Sequence, residues 1–197
     1  TEAAFEDSIE SHLKANGWGT LAPSAYDRGL GLFPDELLAF IEETQPKEWQ
    51  QLVLRLGGEQ SARIKVAARV ADQLNTRGAI SVLRGMVKLN GVTFRTCFFA
   101  PATTLTTDLV SKYEAVRCAV VRQLHHSESN PADSLDLVLV VNGIPTATAE
   151  LKNPLTGQGV AQAIDQYRAD RNPADLIFRA RALVHFAVDP SQVYMTT

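Results

Sequence analysis

The residues best suited to chemistry gather in one short segment, Ser134-Leu-Asp136-Leu-Val-Leu-Val-Val-Asn142-Gly143-Ile-Pro-Thr-Ala-Thr-Ala-Glu150-Leu-Lys152. It reads as two apolar, β-branched strands joined at Asn-Gly, with an acid on the first and Glu-x-Lys closing the second. Hydrolysis of a phosphodiester needs a divalent metal to activate water and neutralise charge on the five-coordinate phosphate. Two carboxylates on neighbouring strands can share a hard, oxygen-seeking Mg²⁺. A lysine two residues past the second carboxylate leaves the strand on the same face, because side chains alternate with period two. From there it can orient water or stabilise the phosphorane oxygens. Glu150-Leu-Lys152 is the only acid-x-Lys triple in the chain. Asp136 stands between Leu135 and Leu137, and a charge inside so apolar a run usually has a partner. The plainer role for these residues is a Glu150–Lys152 salt bridge on a strand surface, with Asp136 solvated.

The turn decides whether the acids meet. A strict two-residue turn at Asn142-Gly143 pairs Asp136 with Ala149 and sends Glu150 to the opposite face. A three-residue loop of Val141, Asn142 and Gly143, with Gly143 left-handed in a bulge, pairs Asp136 with Thr148 and Glu150 with Ser134. The acids are then diagonal neighbours on one face, roughly 7–8 Å apart. The expectation is an odd loop or a bulge here; flat two-residue pairing would remove the metal site.

The elements around this hairpin differ between the two halves of the chain. Glu2 to Asn16 repeats Phe5, Ile9 and Leu13 at helical spacing and stops at Gly17. Tyr26 to Leu30 reads as a linking loop, with Pro23 and Gly29 as breakers. Helices open at Pro34 and Pro46, prolines suited to a first helical position, and the pair ends at Gly57-Gly58. Glu59 to Thr76 follows as an amphipathic helix through Ile64, Ala67, Ala68, Ala71 and Leu74, closed by Gly78; a short helix spans Val82 to Val87. Strands are expected over Val92–Phe99, Cys118–Leu124, Leu135–Val141, Thr146–Leu151 and Ala182–Val188. Helices over Asp108–Val116 and Gly159–Arg171 interrupt them. The fold class is therefore α/β, a mixed central sheet flanked by helices. Residues 25–90 are a helical insertion, and residues 1–18 with 91–197 form the core of a single domain.

Bulk properties set outer bounds. A chain of 197 residues with 45% hydrophobic and 21% charged residues can bury a full core and is not disordered by composition. No apolar run approaches bilayer length, so no membrane association is expected. Two cysteines, Cys97 and Cys118, are too few for a disulfide framework and fit a reducing cytoplasm. The chain opens at Thr1 rather than Met, which reads as a processed or excised piece. A net charge of −3 does not suit a protein that grips nucleic acid alone. It suits either a small-molecule enzyme or a domain whose acids gather around metal while other domains hold the nucleic acid.

With Asp136, Glu150 and Lys152 as its motif, the hairpin resembles the PD-(D/E)xK nuclease superfamily. The stretches Tyr26-Asp-Arg-Gly-Leu-Gly-Leu-Phe-Pro-Asp35, Leu89 to Arg95, Ser134 to Gly157, Gln166 to Arg171, Ala182 to Asp189 and Val193 to Thr197 together resemble the N-terminal region of type I restriction enzyme R (motor) subunits. That resemblance implies a restriction-endonuclease-like fold and a type I site-specific deoxyribonuclease acting on duplex DNA with Mg²⁺. It implies Asp136 and Glu150 as metal-binding carboxylates, Lys152 as catalytic lysine, and the Leu151 carbonyl and Glu6 as further ligands, Glu10 being a weaker choice. ATP belongs to helicase motor domains of the same polypeptide that are absent from this sequence. Separate methylation and specificity subunits would be partners. Relatives carry a Gln four residues before a Tyr on the helix after the site; here Ala163 stands four before Tyr167, so Gln162 and Gln166 both remain candidates beside Tyr167. Arg168 and Arg171 offer phosphate contacts. A site-less docking domain and a stand-alone repair nuclease of the same fold are the other readings.

Three other features lead elsewhere. Gly157-Gln-Gly159 lacks the third glycine and the βαβ setting of a dinucleotide fingerprint, so no nucleotide cofactor is expected, and Thr156 reads as a helix cap. His125 and His126 are adjacent on a strand and face opposite ways, so they cannot easily share zinc and are read as structural. Trp18, Trp49 and Phe98-Phe99 read as core.

Overall fold

The computed structural model describes residues 2–103, 105–153 and 159–197. Helix α1 (Glu2–Ala15) leads into a two-residue strand β1 (Gly19–Thr20) and a single 3₁₀ turn at Pro23–Ala25. Four helices follow: α2 (Pro34–Thr44), α3 (Pro46–Leu56), α4 (Glu59–Arg77) and α5 (Ala79–Arg84). Pro34 and Pro46 sit in the first turns of α2 and α3, where a missing N–H costs nothing. Gly57 ends α3 in the left-handed conformation at φ 86°.

Strands β2 (Val87–Leu89) and β3 (Val92–Phe94) form a separate small hairpin around Asn90-Gly91, whose φ angles are both positive. The expected strand Val92–Phe99 thus stops at Phe94, and Val87 opens a strand instead of ending a helix. A boundary between residues 90 and 91 falls in this turn. Val92, Phe94 and Cys97 are buried with the helices of residues 34–84. Ile64, expected on the apolar face of α4, points to solvent; Ala62, Val66, Val70 and Leu74 are buried in its place. Phe99 is also exposed, whereas Trp49 is in the core and Phe98 packs on Phe40.

Helix α6 (Thr107–Glu114) leads into the main sheet, formed by β4 (Cys118–His125), β5 (Ser134–Val141), β6 (Ile144–Leu151), β7 (Val184–Val188) and β8 (Val193–Thr196) together with β1. The order β1-β4-β5-β6-β7-β8 is mixed, with parallel pairs β1·β4 and β6·β7 and antiparallel pairs elsewhere. Between β6 and β7 lie α7 (Val160–Asp165), a π-helical turn (Gln166–Asp170) and α8 (Leu176–Ala180). This is the expected α/β class, a mixed sheet flanked by helices, compatible with a restriction-endonuclease-like fold. Among the described residues, no helix is long and apolar enough to cross a membrane. Thr156 and Gly157 lie outside the described residues.

The β5–β6 turn corrects one expectation. Val141 pairs with Ile144 across a two-residue Asn142-Gly143 turn, with φ angles of 48° and 77°. The irregularity lies further along, where the register shifts between Leu139 and Val140 and leaves Thr146 as the extra residue. Pro145 explains the place: it has no N–H for the ladder and is tolerated next to a bulge. Thr146 donates its hydroxyl to the Leu139 carbonyl (3.1 Å), and its own carbonyl accepts from Leu183 N–H (2.8 Å). Beyond the bulge Leu137 pairs with Ala149, and one residue further the same register sets Asp136 directly opposite Glu150. The acids are opposed neighbours, not the diagonal pair of the three-residue loop.

Candidate active site

Asp136 and Glu150 occupy the open end of the β5–β6 ladder, away from the turn, on the face that carries Thr148. Asp136 is half-buried and held from two sides: Leu151 N–H donates to its Oδ2 (2.7 Å) and the Gln123 amide donates to its Oδ1 (3.2 Å). The same Gln123 nitrogen donates to Glu6 Oε1 (2.9 Å), so one amide bridges the helix acid and the strand acid. Gln123 reaches both because its backbone is left-handed, at φ 50°, inside β4. Such a conformation costs a non-glycine residue of order 1–3 kcal/mol and is typical of functional sites. Nothing in the sequence around Gln123 signals it.

Glu6 is buried at the sheet, as a site acid should be, but its carboxylate also accepts from Arg122 Nε (3.0 Å) and Nη2 (2.9 Å). Glu10 shares that arginine (3.1 Å). Arg122 therefore clamps α1 onto β4, and Glu6 touches the site through Gln123.

Glu150 is 1% exposed, and Arg171 Nε (2.9 Å) and Nη2 (2.5 Å) both donate to its Oε1. Arg171 also donates to the Ser134 carbonyl (2.7 Å) and to Asp133. Burial lowers its pKa from the ordinary guanidinium value. A phosphate contact expected of Arg171 does not fit this placement; it is an internal counter-charge. Arg168 is exposed beside a cavity of about 600 Å³ that Tyr167, His185 and Tyr194 also line. Lys152 is buried, its N–H bonded to the Val188 carbonyl (2.9 Å), in the wall of a cavity of about 360 Å³ shared with Gln162, Asp165, Gln166, Ala169 and Asp170.

The two glutamines have different tasks. Gln162 Oε1 accepts from Gly159 N–H (2.7 Å) and so caps α7. Gln166 Oε1 is buried without a hydrogen-bond partner in the wall that holds Lys152. Tyr167 braces the sheet: its hydroxyl pairs with Thr148 Oγ1 (2.8 Å), which pairs with His185 Nδ1 (2.7 Å). Burial above all, then the negative charges of Glu150 and Asp136, push the Tyr167 hydroxyl pKa up, so it stays protonated. Burial pushes the His185 pKa down. Thr148, His185, Gln123 and Asp133 are site neighbours that sequence reading missed, since their roles depend on contacts across the fold.

The register thus sets Asp136 and Glu150 at one end of the β5–β6 pair, and Lys152 directly follows β6. Glu6 does not join them in one ligand set: among the described residues, the set of three histidine or acid ligand atoms within 4.8 Å of one another is His126, Asp133 and Asp175.

Residues 104–197 match the family model described as type I restriction enzyme R protein N terminus. Neither the curated proteins nor the solved structures contain a match.

Proposed function

We propose that this chain, whose residues 104–197 belong to the type I restriction enzyme R protein N-terminal family, is the nuclease domain of such a subunit and hydrolyses phosphodiester bonds of duplex DNA. The observation that carries the reading is the opposition of Asp136 and Glu150 on adjacent strand ends, with Lys152 two residues on along the same strand, inside the matched segment. In this reading residues 25–90 are a helical insertion in a core of residues 1–18 and 91–197.

The donor set suits Mg²⁺ in kind: two hard carboxylates at the ends of adjacent strands. Asp136 and Glu150 would hold the ion, with the Leu151 carbonyl as a further oxygen. When bound it would lower the pKa of a water and neutralise phosphate charge. The chain's own residues do the rest. Lys152 brings a positive charge to the phosphorane oxygens. The Leu151 N–H and Gln123 amide hold the Asp136 carboxylate in one orientation. Tyr167, tied to Thr148, fixes the turn that carries Gln166 and Arg171. Arg171 orients the Glu150 carboxylate through two hydrogen bonds to its Oε1. ATP-driven translocation by motor domains, and methylation and specificity subunits that choose the DNA, complete the reading.

One observation favours a second reading. The buried Arg171–Glu150 pair would also suit a docking domain whose acids only hold the sheet end together. Cleavage of duplex DNA by the assembled restriction complex, with Mg²⁺ and ATP, separates the two. Asp136→Asn and Lys152→Ala are expected to lower the cleavage rate by at least about 10²-fold, the scale of losing one charge-stabilising group. ATP hydrolysis should persist. Unchanged cleavage would favour the docking reading.

A further inference from the structure

A second group of ligand-type side chains lies outside the proposed nuclease acids. His126 directly follows β4, Asp133 directly precedes β5, and Asp175 directly precedes α8. His126 Nε2 is 3.4 Å from Asp175 Oδ2 and 3.7 Å from Asp133 Oδ2. His126 is 3% exposed, yet neither ring nitrogen has a hydrogen-bond partner, and Asp175 Oδ2 is likewise buried and unpartnered. Three buried polar atoms in one place without hydrogen bonds are costly unless something joins them.

From this convergence we propose that His126, Asp133 and Asp175 form a binding site for a divalent transition-metal ion of the zinc type.

The distances suit such an ion. Ligand atoms 2.0–2.2 Å from a tetrahedral zinc lie about 3.3–3.6 Å apart; His126 is 3.4 Å from Asp175, within that range, and 3.7 Å from Asp133, just beyond it. One imidazole with two carboxylates selects zinc-like ions over Mg²⁺, which prefers oxygen and water. The charges also balance. Arg171 is shared by Glu150 and Asp133, so these two acids together with Asp175 outnumber it by two charges, which a dication offsets. Asp133 divides its oxygens, Oδ1 toward Arg171 and Oδ2 toward His126. Burial holds the imidazole neutral, with a pKa lowered to about 4, so its lone pair is available near neutral pH. The Phe178 ring packs edge-on against His126 at 5.2 Å and fixes its plane. A cavity of about 370 Å³ lined by Arg28, Glu128, Asp175 and Arg179 borders the site and leaves room for water as a fourth ligand.

This assignment stands apart from the nuclease reading. The test is calorimetric titration of the metal-stripped chain with Zn²⁺, with metal content measured after gel filtration. The parent and Asp136→Asn are expected to bind one Zn²⁺ per chain. Asp175→Asn and His126→Gln are expected to bind it about 100-fold more weakly or worse, since even losing an outer-shell partner costs 10–100-fold. Far-UV circular dichroism checks their fold, and Asp175→Asn, the near-isosteric change, decides if His126→Gln does not fold. No binding by the parent, full binding by Asp175→Asn, or loss of binding in Asp136→Asn would each overturn the assignment.

Discussion

Replacing Arg171 would leave Glu150 and Asp133 buried without their shared counter-charge. Breaking a buried ion pair from one side costs more than the pair itself contributes, because the remaining charge keeps its desolvation penalty. Arg171→Met is therefore expected to destabilise the chain by about 3 kcal/mol, the low end of that range, in urea denaturation. Adding Glu150→Gln should recover part of the loss. A loss within the range of surface substitutions, about 0.5 kcal/mol, would show that the pair is not buried in solution. At this scale the sequence was legible where chemistry depends on spacing along one strand: Glu150 and Lys152 are two residues apart, and Asp136 is conspicuous inside an apolar run. It was not legible for Arg171. A charge on a helix reads as solvated, and only a break in α-helical geometry after Asp165 followed by the bend at Arg171 turns this one inward.

Turns carry the testable logic of the elements. Gly143 sits at φ 77° against α2, where an added Cβ would lie 2.5 Å from the Phe33 carbonyl oxygen and 2.6 Å from Leu37 N. Gly57 has a similar φ of 86° with nothing within 4 Å. Gly57→Ala should thus cost only the left-handed backbone penalty, about 1 kcal/mol. Gly143→Ala adds overpacking and should cost about 3 kcal/mol, which equilibrium denaturation of the two variants would resolve. Equal costs would mean that α2 does not press on the turn. Asn142 supports this turn from the inside: its side chain accepts from Arg117 N–H (2.7 Å) and donates to the Thr96 carbonyl (2.9 Å). The Asn-Gly pair was readable as a turn. Its length and the displaced bulge were not, although Pro145 was the available clue.

At the scale of the whole molecule, the helices of residues 34–84 and the sheet share packing. Ile144 of β6 is buried within the helical cluster, with Val141 and Leu183 against it. Arg181, buried beside the sheet, donates to the Leu30 and Gly31 carbonyls and to Asn75 at the end of α4. The two layers should therefore unfold together. Cys97 reports on the helical layer: burial pushes its thiol pKa up to about 11, so it should resist thiol reagents at pH 8 until the layer opens. Its labelling free energy is expected to match that from loss of sheet and helix by circular dichroism. Labelling well below the global value would mean that the helices open alone.

What the sequence determined by itself was local: helix starts at prolines, stops at glycines, the alternation of the strands, and an acid-x-Lys at a strand end. Each is written within a few residues and follows from backbone geometry. The tertiary structure decided which charges meet. Glu150 found Arg171 at a distance of 21 positions, Glu6 reached Asp136 only through Gln123, and His126, beside an unhelpful His125, found Asp133 and Asp175. Those encounters depend on where loops and helix ends arrive on the sheet. A charge buried there takes whichever partner the packing brings within reach, because desolvation makes any satisfied arrangement better than none.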